Sequence, residues 1–360
     1  MKWEKVKLGD IIKIKKGEYI TKKESKQGIY PVILGGKEPA YYIDKYNHTG
    51  KAIVVSRSGA SAGYVSYWNE PIFVTDGFII EPLDSIEHDF LYYLMKNHQP
   101  QLQGLQGGSA IPHVNPRIIN AIECVLPPID TQKRIVSILS AYDKLIENNQ
   151  KQIKLLEEMA QRLYKEWFVD LRFPDWENTE IVNGVPVGWR EGTLTEIASF
   201  KRGKTITKAN VKEGTVPVVA GGLEPAYYHN EANTTAPVIT VSGSGANAGF
   251  SRLYHEDVFA SDCSFVDSDS TPYLFFVYCF LKDNKFQIDS LQKGSAQPHV
   301  YAKDINAMKI VLAPEAILHS FCSITKNYYT MIGKLKKQIK KLSEARDRLL
   351  PKLMSGELEV

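Results

Sequence analysis

The side chains best suited to chemistry in this chain come in pairs. His113 and His299 each follow a proline inside Gly-Ser-Ala-x-Pro-His-Val, at 108–114 and again at 294–300. Asp76 returns as Asp262, and Ser56-Arg57-Ser58-Gly59-Ala60-Ser61-Ala62-Gly63-Tyr64 returns as Ser242-Gly243-Ser244-Gly245-Ala246-Asn247-Ala248-Gly249-Phe250. A histidine near a carboxylate can ligate a metal or move a proton. Neither histidine has an acidic or cysteine partner at ligand spacing, so ordering its own loop by a hydrogen bond is the simpler role. The same reasoning makes Asp76 and Asp262 turn-forming carboxylates first and acceptors from cytosine second.

Where the paired loops differ, they differ in residues that recognise base edges. Arg57 stands against Gly243, Ser61 against Asn247 and Lys37 against Leu223; arginine matches guanine bidentately and asparagine matches adenine. Lys13, Lys15, Lys16, Lys22 and Lys23 in one copy answer Lys201, Arg202, Lys204 and Lys208 in the other. Such cations are phosphate anchors or solvated faces, and their recurrence favours the first. Tyr41, Tyr42, Tyr227 and Tyr228 suit either contact with sugar and base or half-burial in a strand. With Ser58, Ser109, His113, Ser244, Ser295 and His299 from the repeated loops, these are the candidate binding residues.

Catalytic motifs are not found in the sequence. Asn115-Pro116-Arg117 and Glu38-Pro39-Ala40-Tyr41 only superficially resemble the Asn/Asp-Pro-Pro-aromatic motif of amino methylation, and neither a cofactor-binding glycine turn nor a Walker sequence occurs. The four cysteines have no Cys-x-x-Cys spacing and read as small buried apolar residues. We expect no metal and no cofactor in this chain.

The elements that position these residues repeat in one frame. Trp3, Leu8, Ile11 and Gly17 match Trp189, Leu194, Ile197 and Gly203, and Gly35-Gly36-Lys37-Glu38-Pro39-Ala40-Tyr41-Tyr42 matches Gly221-Gly222-Leu223-Glu224-Pro225-Ala226-Tyr227-Tyr228, always 186 residues apart (189 − 3 = 186). A constant offset marks a tandem duplication. In the first half, β-rich stretches bounded by glycine and proline predict strands at 31–34, 52–56, 64–68, 72–75 and 78–81, with a helix at 90–98. In the second, strands are expected at 217–220, 238–242, 250–254 and 258–260, with a helix at 272–282. Strands at 122–126 and 308–312 close the two copies.

A long helix follows each copy. Ile135, Leu139, Tyr142, Ile146, Asn149, Ile153, Leu156, Ala160, Leu163 and Trp167 alternate by threes and fours, broken only by the polar Asn149. Adding 186 gives Phe321, Thr325, Tyr328, Ile332, Leu335, Ile339, Leu342, Arg346 and Leu349. A stripe of this kind requires a partner helix, and each helix is the other's natural partner. Asn149 is either a tolerated polar residue or a register device. Lys151, Lys154, Lys334, Lys336, Lys337, Lys340 and Lys341 lie off the seam, facing nucleic acid, a partner or water. Pro174 is expected to end the first helix and Pro351 the second, with 352–360 as a tail; Asn183-Gly184 predicts a tight hairpin between the halves.

Composition sets the outer limits. At 43% hydrophobic and 24% charged residues over 360 positions, the chain has material for two or three cores. The apolar run 274–281 is far short of the roughly 20 residues that cross a bilayer, and the N-terminus has no apolar signal core, so a cytoplasmic protein without a membrane partner is expected. A net charge of +3 neither requires nor excludes nucleic acid.

The helix ends, Ala160-Gln161-Arg162-Leu163-Tyr164-Lys165-Glu166-Trp167-Phe168-Val169-Asp170 and Arg346-Asp347-Arg348-Leu349-Leu350-Pro351-Lys352-Leu353-Met354-Ser355-Gly356-Glu357, together with the Gly-Ser-Ala-x-Pro-His-Val loops, resemble the specificity subunit of type I restriction–modification enzymes over the whole chain. The resemblance implies an α+β architecture: target recognition domains at 1–129 and 173–315 (the second with its connector), a central conserved helix at 130–172, and a C-terminal conserved helix and tail at 316–360. In that family the two helices pair as an antiparallel coiled coil, giving a pseudo-two-fold repeat. It also implies double-stranded DNA, two methyltransferase (modification) subunits and restriction (translocase/nuclease) subunits as partners, with S-adenosylmethionine, ATP and Mg on those partners.

Two reading heads need a stiff spacer. A helix of about 38 residues spans roughly 57 Å, or about 17 base pairs between outer limits, so a split target with an unread middle is expected. A specificity subunit of a type IIB-like enzyme, cutting on both sides of its site, fits the same residues. So does a coiled-coil adaptor whose two β domains bind proteins; an adjacent methyltransferase gene would argue against the adaptor.

Overall fold

A computed structural model of the chain describes residues 3–23, 26–104, 113–294 and 297–360. These residues divide into two compact units that do not follow chain order: residues 1–146 with 340–360, and residues 147–339. Each long helix therefore contributes one stretch to each unit.

In the first unit a four-stranded antiparallel sheet runs in the order Ile12–Lys16, Gly77–Pro82, Ala52–Ser56, Val65–Trp68. The central strand Ala52–Ser56 is buried along its whole length, which explains its uninterrupted apolar sequence. Beside it lies a mixed three-stranded sheet, Tyr41–Ile43, Gln27–Ile33 and Phe73–Val74. A two-stranded ribbon pairs Glu4–Lys7 with Glu123–Leu126.

The second unit repeats this plan. Lys201–Arg202, Cys263–Asp267, Val238–Ser242 and Ser251–Tyr254 form the four-stranded sheet, and Tyr227–His229, Val216–Val219 and Phe259–Ala260 the three-stranded one. Arg190–Thr193 pairs with Lys309–Leu312. Helices His88–Asn97 and Leu274–Asp283 lie where expected to within two residues. The opening strands of both ribbons, and the strand Ile12–Lys16, were not expected: most of their side chains are polar and exposed, which leaves little apolar signal.

The first long helix is regular over Ile129–Tyr164 and widens into a π turn over Lys165–Val169. It ends before Pro174, the expected terminator: Leu171 already has φ 58°. The hairpin forms at Asn183-Gly184, with φ 53° and 80°, as a primed turn between Ile181–Val182 and Val185–Pro186 requires. The second long helix corrects the sequence reading. It runs from Glu315 to Ser355, straight through Pro351. Proline removes one backbone hydrogen bond, yet Leu353 and Met354, one turn or less beyond it, are buried in the core of the first unit. Burying two such side chains yields about 1.5–3 kcal/mol each, on the order of the roughly 3 kcal/mol an interior proline costs.

Within each unit the two helix stretches pack together. In the first, Ile135 and Leu139 share a core with Leu349, Leu353, Met354 and the head residues Phe90, Leu91 and Leu94. Beside that core, Asp143 accepts from Tyr93 Oη at 2.5 Å and from Arg346 Nη1 at 2.6 Å. In the second, Ala160, Tyr164 and Trp167 join Phe276, Phe321, Tyr329 and Ile332. Every seam residue from Ile135 to Leu349 is buried or half-buried, including Tyr142, Ile146, Ile153, Leu156, Leu163, Tyr328, Leu335, Ile339 and Leu342.

Asn149 is buried as well, and its Nδ2 donates to Oε1 of Gln338 at 3.3 Å. Gln338 is exposed, so its amide retains water when the partner is lost. Asn149→Leu is therefore expected to raise stability by about 1–2 kcal/mol, the order gained when a buried amide gives way to an apolar side chain. A denaturant midpoint equal to or below that of the parent would contradict this.

All four cysteines are free and buried, and burial pushes the Cys263 and Cys279 thiols up to about 12. Among the described residues no helix is long and apolar enough to cross a membrane.

Candidate nucleic-acid interface

The repeated chemistry converges on one corner of each head. In the first, Ser58 Oγ donates to Asp76 Oδ2, and Arg57 Nη1 stands 3.9 Å from Asp76 Oδ1. In the second, Ser244 Oγ donates to Asp262 Oδ2. The backbone amides of Val114 and Val300 donate to the carbonyls of Arg57 and Gly243, at 2.9 and 3.1 Å. Bridges Ser58–His113 and Ser244–His299 pin each histidine loop to its serine turn. The aspartates thus accept within these turns, and main-chain bonds hold both histidine loops in place.

Glycine shapes this corner. Gly63 and Gly249 adopt φ 81° and 85°, and a Cβ at Gly63 would come within 2.7 Å of the Leu102 carbonyl carbon. No other residue permits that turn without displacing the backbone behind it.

The second head opens here into a cleft of about 410 Å³ lined by Arg202, Ser244, Asp262, Gln297, His299 and Tyr301. His299 and Tyr301 stack with ring centroids 6.0 Å apart and planes 12° apart. Tyr301 has Asn115 as its repeat counterpart (301 − 186 = 115); its chemistry is missed by a search confined to matched loops, although it stands only two residues beyond His299. In the first head, Tyr64 lies beneath two cations, with Lys37 Nζ 5.6 Å and Lys96 Nζ 4.8 Å from the ring centroid. Burial pushes the Lys96 ammonium below the usual lysine range. Nothing in the sequence singles out Lys96, whose partner ring lies in another element.

The other predicted residues are distributed as follows. Lys15 pairs with Glu81 at 2.5 Å. Lys16, Lys22, Lys23, Lys201, Arg202, Lys204 and Lys208 are exposed, and Ser61 is half-buried. Asn247 Nδ2 donates to the Gly221 carbonyl at 3.4 Å, a long bond that leaves the amide available to a better partner. Tyr41 and Tyr227 are half-buried in strands, while Tyr42 and Tyr228 are more than half exposed. Ser109 and Ser295 lie outside the described residues. Among the described residues no group of three or more His, Cys, Asp or Glu is arranged to hold a metal ion.

The chain is thus a tandem-duplicated α+β protein with the same glycine-shaped corner in each half. The chain belongs to the type I restriction modification DNA specificity domain family, whose model matches it twice, over residues 1–158 and 186–344. It is 28% identical over 344 residues to the type I restriction enzyme MjaIX specificity subunit of Methanocaldococcus jannaschii, covering 86% of this chain and 78% of that protein. It is 29% identical over 215 residues to the MjaVIII specificity subunit of the same organism, covering 56% and 50%. The crystal structure of a type I restriction-modification system S subunit from M. genitalium superposes with a TM-score of 0.66 at 23% identity, over 98% of this chain and 96% of that one, and shares its fold.

Proposed function

We propose that this specificity subunit reads a split DNA target, one part with each head, and that it does no chemistry itself. The observation that carries the reading is the duplicated corner: Ser58–Asp76–His113 and Ser244–Asp262–His299 are held by the same serine-to-aspartate side-chain bond and the same main-chain bonds in both heads. The domains at 1–129 and 173–315 are the target recognition domains. Lys16, Lys22, Lys23, Arg202, Lys204 and Lys208 anchor phosphates; Arg57, Lys37 and Asn247 read bases.

The long helices act as an antiparallel coiled coil that sets the unread gap. The regular part of the first helix is 36 residues long, which at about 1.5 Å per residue is roughly 54 Å, or about 16 base pairs. A pseudo-two-fold relation between the heads has them reading opposite strands. The helices also dock two methyltransferase subunits. These bring S-adenosylmethionine, while restriction subunits, where present, use ATP and Mg.

Arg57 has no counterpart in the second head, where Gly243 stands at its position. Arg57→Ala is expected to relax one base position in one half-site only and to leave the other unchanged, a loss of about 1–3 kcal/mol of discrimination. Mapping methylated sites in cells carrying the variant tests this: an unchanged motif, or relaxation in both halves, would contradict it.

A further inference from the structure

We propose that the second unit contains a phosphate-binding cleft between the Ala236-Pro237 turn and the second long helix. The cleft has a volume of about 510 Å³, and Lys326, Thr330, Lys334 and Lys337 line it from one side of that helix, spaced three or four residues apart. None of its lining residues is acidic. The three lysines enter none of the ion pairs found among the described residues. Asp257, Asp267 and Asp269 accept from the Ala236 amide, the Thr235 amide and the Thr235 hydroxyl at the rim of the cleft, and none of the three forms an ion pair with these lysines among the described residues. Three unneutralised ammonium groups around one concavity focus a positive potential that a compact polyanion relieves.

A second feature points to the same ligand. His255 also lines the cleft, and its Nε2 is buried without a hydrogen-bond partner among the described residues, an unfavourable arrangement that a bound ligand could relieve. It packs closely against the helix at Gly333, where a Cβ would come 2.9 Å from the His255 Cγ, so glycine is required for the approach. Burial, with the charges of Lys336 and Lys337, pushes the imidazole down to about 4. It is therefore neutral at pH 7 and carries one N–H that can be donated to an anion.

The site is particular to the second unit, and the duplication alone does not produce it. The repeat counterparts of His255, Lys326, Gly333 and Lys334 are Asn69, Ser140, Glu147 and Asn148 (each number less 186). Lys151, the counterpart of Lys337, is neutralised by Glu147 at 2.6 Å, whereas Lys337 faces a glycine at that spacing.

The phosphate comes either from a DNA backbone passing the helix or from a free phosphate compound. Pyrophosphate titrated calorimetrically into the full chain, with no DNA present, tests the site separately from the DNA-reading proposal. One equivalent is expected to bind, with affinity falling at least about tenfold in Lys326→Gln/Lys334→Gln/Lys337→Gln, a loss of roughly 1.4 kcal/mol. The His255 Hε1 resonance, assigned by its disappearance in His255→Gln, is expected to shift on saturation in the parent and not in the triple variant. Equal binding by parent and triple variant, or an unmoved His255 signal, would overturn the proposal. Duplex binding then names the source: the salt slope of log Kobs becomes shallower by about one per lost phosphate contact if DNA supplies the group, and is unchanged if a free phosphate does.

Discussion

Inserting seven residues into both helices, within 148–154 and within the facing stretch 333–339, is expected to abolish methylation at the original sites and to create a new set with a longer gap. The facing stretches follow from the contacts: Asn149 meets Gln338, Asp143 meets Arg346, and Tyr164 meets Phe321. Seven residues preserve the seam, because the apolar positions recur by threes and fours. Each helix grows by about 10.5 Å, close to three base pairs. The heads keep their own cores, since neither insertion touches a sheet, so each half-site keeps its bases. The same insertion into one helix alone leaves its seam unmatched and is expected to destabilise the chain. Methylation persisting at the original spacing would remove the helices from any role in measuring the gap.

The second large effect falls on stability. Phe321 is fully buried and meets four aromatic rings, those of Tyr164, Trp167, Phe168 and Phe276, at centroid distances of 6.3, 5.9, 5.1 and 6.1 Å. These rings belong to the end of the first long helix and to the head helix, and Phe321 itself lies near the start of the second, so it holds three elements of the second unit together. Removing a ring from such a site leaves a cavity that its neighbours cannot fill, and Phe321→Ala is expected to cost about 3–5 kcal/mol. Hydrogen exchange followed by mass spectrometry localises the loss: protection across 315–332 should fall by about two to three orders of magnitude. A loss below about 1 kcal/mol would mean that the cluster is not the keystone of this unit.

What could be read from the sequence follows from what each segment buries. Strands such as Ala52–Ser56 and Val238–Ser242 stand in the structure at the expected residues, because a strand buried on both faces has only its apolar side chains to declare itself. The helix stripe was legible for the same reason, and the frame of 186 residues carried one head's topology onto the other. The ribbon strand Glu4–Lys7 was not legible: its residues are mostly exposed and its partner lies more than a hundred positions away, at Glu123–Leu126. Pro351 misled because a local rule about proline was outweighed by the burial of Leu353 and Met354. At the candidate interface the paired loops were legible from repetition. The approach of Lys37 and Lys96 to Tyr64, and of His255 to the lysines of the second long helix, was not, since each brings together elements far apart in sequence.

The most direct measurement is single-molecule sequencing of methylated genomic DNA from cells with and without this gene. A two-headed reader predicts one motif present only when the gene is, made of two short specified parts on opposite strands separated by a fixed run of unspecified bases. A continuous motif with no gap, or the same methylated sites in both cell lines, would contradict it.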